Sequence, residues 1–246
     1  MLVFVYISEM ILCFYKTGAT TMNNNITTMI ILLILCILFV GSFLYQENKG
    51  RFMLAAILKG LASLCFVGIG LINSNGSSLA NLIVVGLIFG FVADILLNLR
   101  HVFKQKGKLI FLVGILVFLI GHIIYLVAVI PLNKNILLCV ILSIIITALL
   151  MMWIFTKITA EKAFKIFGIV YIGAIVFLNV VAISNMISSP SNFTKIFALG
   201  AVLFLISDIV LILNTFGSES KLSLRITNIS LYYIGQILIG LSLFFL

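Results

Sequence analysis

Long apolar runs separated by short polar turns dominate the pattern along the chain. Eight of these runs approach the ~20 residues that an α-helix needs to cross a bilayer. Ile, Leu and Phe follow one another without regular polar alternation, which argues against a transmembrane β-barrel. We therefore predict an all-α membrane protein with eight transmembrane helices, over Ile26–Tyr45, Phe52–Ile72, Leu79–Leu99, Leu109–Ile130, Ile136–Phe155, Phe164–Ile187, Thr194–Leu213 and Ile226–Leu246.

Two of these predicted helices carry an acidic residue at the same place in similar sequences. Residues 86–100 read GLIFGFVADILLNLR and residues 200–214 read GAVLFLISDIVLILN, so Asp94 aligns with Asp208. A charge inside a membrane is costly, and an intramembrane acid therefore indicates a functional site. Asp94 is the residue around which the polar positions of the chain are arranged.

The same offset continues into the following helix. It aligns residues 121–123 (GHI) with residues 235–237 (GQI) without a gap. An ungapped offset across two helices and their loop favours an internal duplication. We predict one domain over residues 23–246, built from two parallel four-helix repeats over about 26–130 and 136–246.

Composition and charge agree with a membrane protein. Hydrophobic residues make up 64% of the chain, charged residues 9%, and the net charge is +9. Such a charge can indicate nucleic-acid binding, but these cations lie in turns between apolar runs, where they orient the protein. We expect no nucleic-acid partner. The odd-numbered turns and the helix ends beside them hold most of the cations: Lys49, Arg51, Arg100, Lys104, Lys106, Lys108, Lys157, Lys162, Lys165, Lys221 and Arg225.

The even-numbered turns offer only Lys134 and Lys195. Because cytoplasmic loops carry the excess of Lys and Arg, we predict that the odd-numbered turns are cytoplasmic and that both termini lie outside. The predicted location is the cell membrane, and the Ile-, Asn- and Lys-rich composition points to a bacterium.

The first residues differ from the rest. Residues 1–22 contain a short apolar stretch interrupted by Glu9, without the basic start or the cleavage site of a signal peptide. A complete span follows Met22. We therefore predict that residues 1–22 are a dispensable extension.

Polar side chains recur at similar depth on several predicted helices. Gly86, Gly90, Asp94 and Asn98 are spaced by four, which places them on one face of a helix. Further candidates at comparable depth are Lys59, His122, Tyr125, Asp208, Asn228, Tyr232 and Gln236. We predict that the two acids face one cavity between the third, seventh and eighth helices.

Simpler interpretations exist for some of these residues. Lys59 can extend its ammonium group to the headgroups, or it can form a purely structural pair with Asp94. Tyr232 can anchor its helix at the membrane interface, and His122 can be a packing residue. Asp94 and Asp208 are the hardest to explain in this way.

Several chemistries are excluded by what the sequence lacks. It has two histidines and no GxSxG motif, no cysteine beside a histidine and no glycine-rich phosphate loop. We expect no metal and no organic cofactor. Two acids in unlike surroundings suit general acid–base hydrolysis, in which one is protonated and the other ionised.

At these residues the chain resembles the YhhN-like lysoplasmalogenase family of eight-helix membrane enzymes. The matching pieces are Lys59 and residues 93–96 (ADIL), 121–125 (GHIIY), 205–208 (LISD) and 232–236 (YYIGQ). The chain departs from the family pattern at a few positions. Gly60 follows the lysine where proline is common, Ala93 replaces a frequent glycine, and Gln236 stands where relatives can carry histidine.

The resemblance implies hydrolysis of the vinyl-ether bond of lysoplasmalogens to a fatty aldehyde and a glycerophospho-alcohol. Asp94 and Asp208 are then the catalytic pair, with Asp94 the more important because some relatives lack the second acid. The expected partners are the bilayer and a lysophospholipid-like substrate, which enters sideways from the lipid. The substrate-binding residues would be Lys59, Asn98, His122, Tyr125, Asn228, Tyr232 and Gln236.

A second class of function uses the same residues. A proton-coupled transporter of lipids or small molecules also needs intramembrane acids in a polar cavity. Turnover by the purified protein in detergent, without any gradient, separates an enzyme from a transporter.

Overall fold

A computed structural model of the protein describes residues 20–246 and shows a bundle of helices. Eight helices are long and apolar enough to cross a membrane, which confirms the predicted fold class for the described residues. The predicted extension covers residues 1–22, and its first 19 residues lie outside the described part of the chain. The helices are α1 (Thr20–Asn48), α2 (Phe52–Asn73), α3 (Ser78–Val102), α4 (Gly107–Val129), α5 (Ile136–Phe155), α6 (Lys162–Ser188), α7 (Asn192–Phe216) and α8 (Leu222–Ser242).

Short 3-10 turns cover Lys104–Lys106, Ile130–Leu132 and Leu243–Phe245. The helices are longer than the predicted spans by a few residues at several ends. The difference matters most in α3, which continues to Val102 and so carries Arg100 on the helix rather than in the turn.

The helices pack in an order that follows the predicted halves. Successive helices contact each other within α1–α4 and within α5–α8, while α2 contacts α8 and α4 contacts α6. Under the repeat offset, α2 corresponds to α6 and α8 to α4, so the two most extensive contacts between the halves are equivalent. The duplication itself stays a prediction, and this packing order is compatible with it.

Paired glycines bring two helix pairs into close contact. A Cβ atom on Gly235 would lie 2.9 Å from the carbonyl oxygen of Gly200, and a Cβ atom on Gly121 would lie 3.3 Å from that of Gly86. Side chains larger than hydrogen would force the backbones apart at these crossings. The crossings of α3 with α4 and of α7 with α8 therefore use glycines at positions that the offset aligns.

Contacts between turns show which of them share an end of the bundle. Glu47 pairs with Arg225, Lys108 pairs with Glu161, and the Thr159 amide donates to the Phe216 carbonyl. The odd-numbered turns, which hold most of the cations, thus lie together. We call this end of the molecule the basic end; its cytoplasmic orientation stays a prediction.

The contacts that join the opposite end include no ion pair among the described residues. Asn133 donates to Asn185 at 2.9 Å, and Lys134 reaches the carbonyl of Ser188. The interior between the two ends is most enclosed around α2 and α8, whereas α1 and α5 face the membrane along most of their length. Most of the buried polar side chains are carried by α2, α3, α6, α7 and α8.

Candidate active site

Asp94 lies inside the bundle and is surrounded by donors. Its carboxylate is 1% exposed, and the Lys59 ammonium lies 2.9 Å from Oδ1. The Tyr232 hydroxyl donates to Oδ2 at 2.7 Å, and Ser63 Oγ lies 2.5 Å from the same oxygen. A cation and two hydroxyls on one carboxylate are charge-assisted contacts, which are stronger than neutral ones. These partners hold the Asp94 carboxyl group in a single orientation.

Lys59 points inward rather than towards the headgroups. The residue is 4% exposed, and its Nζ lies 5.7 Å from the centroid of the Phe43 ring and 5.9 Å from that of Tyr232. The snorkelling interpretation is therefore wrong. Small neighbours on α2, among them Ala55 and Ala62, are almost fully buried beside it and leave room for the ammonium.

A second hydroxyl layer supports this pair. The Tyr233 hydroxyl donates to the carbonyl of Lys59 at 3.1 Å and lies 3.1 Å from Ser63 Oγ. Ser63 follows Lys59 by four residues and so shares its face of α2. Neither Ser63 nor Tyr233 was predicted as a site residue. The helical spacing from Lys59 is the signal that identifies Ser63.

Asp208 has a different environment. It is 4% exposed, and the Tyr171 hydroxyl donates to its Oδ2 at 2.6 Å. No ion pair involves Asp208 within the part of the chain that the structure describes. The two acids thus differ in the way that acid–base chemistry requires, because one meets a cation and the other a single neutral hydroxyl.

Asn228 fixes the helix that carries Asp208. Its amide nitrogen donates to the carbonyl and to Oγ of Ser207 at 2.9 and 2.8 Å, and Ser207 donates back to the Asn228 carbonyl. These bonds join α7 to α8 one residue before Asp208. They leave the position of that carboxyl little freedom.

Both acids line one small cavity within the membrane-spanning region. Its volume is about 30 Å³, which is close to the share of liquid volume that one water molecule occupies. Of the predicted site residues, the cavity also contacts Lys59, Asn98, Asn228 and Tyr232. We call it the acid cavity. Its walls come from α2, α3, α4, α7 and α8, which includes the three helices that the sequence predicted.

Asn98 offers this cavity an unused donor. The residue is 3% exposed, and its Nδ2 has no hydrogen-bond partner among the described residues. Buried amide groups are nearly always paired, so an unpaired one beside a cavity calls for a bound group. An oxygen atom of a substrate or a water molecule would satisfy it.

Three predicted site residues lie deeper and do not line the acid cavity. The Tyr125 hydroxyl donates to Gln236 Oε1 at 3.0 Å. His122 Nδ1 lies 2.7 Å from the Phe118 carbonyl oxygen, and its ring centroid lies 4.4 Å from that of Phe204. The structure thus gives each of these residues a protein partner. Their predicted contact with substrate stays a prediction.

Two apolar cavities lie between the acid cavity and the membrane-facing side of α4 and α6. Leu97, Phe111, Phe118 and Leu211 line both the acid cavity and a cavity of about 50 Å³ behind it. That cavity shares Phe164 and Phe167 with an open depression of about 310 Å³. We call the two together the α4–α6 cleft; the depression is completed by Leu112, Val113 and Leu116.

This arrangement suits proton transfer more than metal chemistry. Among the described residues, no group of three or more His, Cys, Asp or Glu side chains is placed to hold a metal ion. The acid cavity instead offers two unlike carboxyl groups, a cation, and space for about one water. Those are the elements of general acid–base hydrolysis.

Comparison with known proteins places the chain in a family. No curated protein and no solved structure matches it. The model of the YhhN family matches residues 54–243, a stretch that contains both acids and every residue lining the acid cavity. Because the match covers most of the sequence, the chain belongs to the YhhN family.

Proposed function

We propose that the protein hydrolyses the vinyl-ether bond of lysoplasmalogens and releases a fatty aldehyde and a glycerophospho-alcohol. The observation that carries the proposal is the acid cavity, where Asp94 and Asp208 meet different partners around space for about one water. Membership of the YhhN family is consistent with a hydrolase.

The first step is protonation of carbon. Asp208, whose hydrogen-bond partner is the neutral Tyr171 hydroxyl, donates its proton to the vinyl carbon next to the ether-bearing carbon. The double-bond electrons form the new C–H bond and leave a cationic oxocarbenium centre at the ether carbon. Placing the proton donor within the cavity is worth typically ~10²–10⁴ in rate.

The second step is capture of that cation by water. Asp94, held as a carboxylate by Lys59 and two hydroxyls, stabilises the positive charge as it forms. Water adds to the cationic carbon, and the Asp208 carboxylate takes the released proton. The resulting hemiacetal loses its hydroxyl proton as its bond to the glycerol oxygen breaks, the glycerol oxygen gains a proton in exchange, and the aldehyde leaves. The net reaction consumes one water and regenerates both acids.

The surroundings of the acid cavity suit a lipid with one hydrocarbon chain. The α4–α6 cleft is apolar, opens to the membrane and shares four residues with the acid cavity. A chain lying in this cleft brings its ether end to the acids, while its headgroup faces the basic end. Such a substrate reaches the site sideways from the bilayer.

The test is aldehyde release by the purified protein in detergent. Wild type should convert a lysoplasmalogen and leave a lysophospholipid ester intact. Asp94→Asn and Asp208→Asn should each lose about 10²–10⁴-fold of that rate, because the first removes the charge that stabilises the cation and the second removes the proton donor. Glu161→Gln, which removes an exposed acid, is the matched control and should be normal.

Two results would contradict the proposal. Near-normal aldehyde release by a folded Asp94→Asn protein removes Asp94 from the chemistry. If the wild-type protein releases no aldehyde, the transporter becomes the favoured function. Uptake of a lipid into vesicles under a proton gradient would then test it.

A further inference from the structure

A second polar cavity lies at the basic end, next to the acid cavity. Its volume is about 410 Å³, and it shares Arg100, Arg225 and Leu211 with the acid cavity. Three cations line it, because Lys221 joins the two arginines, and the one carboxylate among its lining residues is Glu47. We call it the basic cavity. Its charge and position suit an anionic group attached to a substrate whose reacting bond is at the acids.

Two of the three cations already have acidic partners. Arg225 forms a two-pronged pair with Glu47, with nitrogen–oxygen distances of 2.8 and 3.0 Å. Lys221 lies 3.3 Å from Glu219 at the surface. The charge of Arg225 is therefore balanced within the fold, where the pair joins α8 to α1.

Arg100 is different, because its guanidinium has no carboxylate partner within the described residues. Its Nε donates to His101 Nε2 at 3.1 Å, and its Cζ lies 4.5 Å above the Phe111 ring. These contacts orient the group and leave its terminal nitrogens without a hydrogen-bond partner among the described residues. A partly buried guanidinium with a free fork is suited to two-pronged binding of phosphate.

The spacing along α3 links this charge to the acids. Arg100 follows Asp94 by six residues, which is about 9 Å along a helix. Asn98, with its unused Nδ2, lies between them on the wall of the acid cavity. A glycerol backbone with its flanking oxygens covers most of that distance, and the long arginine side chain covers the rest.

We propose that Arg100 binds the phosphate of a single-chain ether phospholipid, with the phosphate in the basic cavity, and so sets the position of the ether bond. This inference rests on the proposed function for the nature of the substrate. Arg100 is a substrate-binding residue that sequence analysis assigned only to topology. The phosphate diester is the recognised element, and the group beyond it extends towards solvent.

The experiment compares two substrates and three variants. One substrate is a lysoplasmalogen, and the other is 1-alkenylglycerol, which has the same vinyl ether but no phosphate. Arg100→Gln should raise KM for the lysoplasmalogen at least about tenfold, a loss of ~1.4 kcal/mol, with little change in kcat. Its KM for 1-alkenylglycerol should stay as in wild type.

The other variants separate charge from geometry. Arg100→Lys keeps the charge but not the planar fork, so its KM should fall between wild type and Arg100→Gln. Lys104→Gln removes an exposed cation close to Arg100 in sequence and should not change KM. If Arg100→Gln does not fold, Arg100→Lys is used in its place, and its KM for the lysoplasmalogen should still exceed that of wild type.

A binding measurement makes the result independent of turnover. The probe is an uncleavable 1-alkyl lysophospholipid, titrated onto purified wild type and Arg100→Gln in detergent. At least tenfold weaker binding by Arg100→Gln supports the phosphate site, even if wild type proves not to hydrolyse vinyl ethers. Equal binding by both proteins, or an equal rise in KM for 1-alkenylglycerol, overturns it.

Discussion

Tyr171 donates its hydroxyl to Asp208 at 2.6 Å and so joins α6 to the acid cavity. Tyr171 itself lines the apolar α4–α6 cleft, whereas Asp208 lines the acid cavity. The hydrogen bond therefore links the cleft proposed to hold the hydrocarbon chain with the cavity proposed to hold the reacting bond.

Tyr171→Phe removes this bond and keeps the ring. We expect kcat for vinyl-ether hydrolysis to fall about fivefold to tenfold, because a buried hydrogen bond is worth ~1 kcal/mol or slightly more. KM should change little. Tyr45→Phe is the control, since Tyr45 is 60% exposed. An unchanged kcat in the Tyr171 variant would show that this hydroxyl does not act on Asp208.

Variants of the Lys59–Asp94 pair should affect protein stability and enzymatic activity differently. Lys59→Met or Asp94→Asn alone leaves one buried polar partner uncompensated, which costs about 3–5 kcal/mol when a buried pair is broken. The double variant Lys59→Met/Asp94→Asn should recover much of the thermal stability in detergent but none of the aldehyde release. Activity in the double variant would make the pair purely structural.

Adding one methyl group at the crossing of α7 and α8 should lower the free energy of unfolding. Gly235→Ala places a Cβ 2.9 Å from the Gly200 carbonyl oxygen, and overpacking of this kind costs typically ~1–3 kcal/mol. Thermal unfolding in detergent measures it. Gly41→Ala is the matched control, because its Cβ meets nothing within 4 Å. Equal unfolding temperatures for the two variants would contradict the close packing.

The α4–α6 cleft predicts a change in chain-length preference. Leu116, which is 45% exposed, lines its outer part, and Leu116→Trp should reduce kcat/KM several-fold for long-chain substrates more than for short ones. Ile123→Trp, two turns further along α4 and 44% exposed, is the control. A uniform change across chain lengths would place the hydrocarbon chain elsewhere.

The basic end predicts the orientation in the membrane. Reporter domains fused after Leu246 and within the turn at residues 103–106 should give opposite signals, with the turn in the cytoplasm. A cytoplasmic signal from the fusion after Leu246 would reverse the predicted topology.

Hydrophobic length predicted the eight helices because a bilayer imposes the same length on every span. That Lys59, Asp94, Asn98 and Tyr232 lie together could be predicted because polar residues are rare inside a membrane and recur there with helical spacing. Tyr171 was missed, since an isolated tyrosine in an apolar helix resembles an interfacial anchor and its partner is on another helix.

Arg100 was missed for a related reason. Cations usually mark the end of a span, and sequence alone does not show that α3 continues past Leu99 and turns this arginine towards a cavity. The contacts of α2 with α8 and of α4 with α6 depend on how the halves close, which no local pattern encodes.

The glycine crossings described above also determine where the bundle can open. Backbones in close contact leave little space for side chains to rearrange, so we expect α3 to stay packed on α4 and α7 to stay packed on α8. Side chains line the two cavities at the boundary between α4 and α6. We therefore expect the bundle to admit a lipid chain by rearranging these side chains, and not by separating the helices at the glycine crossings.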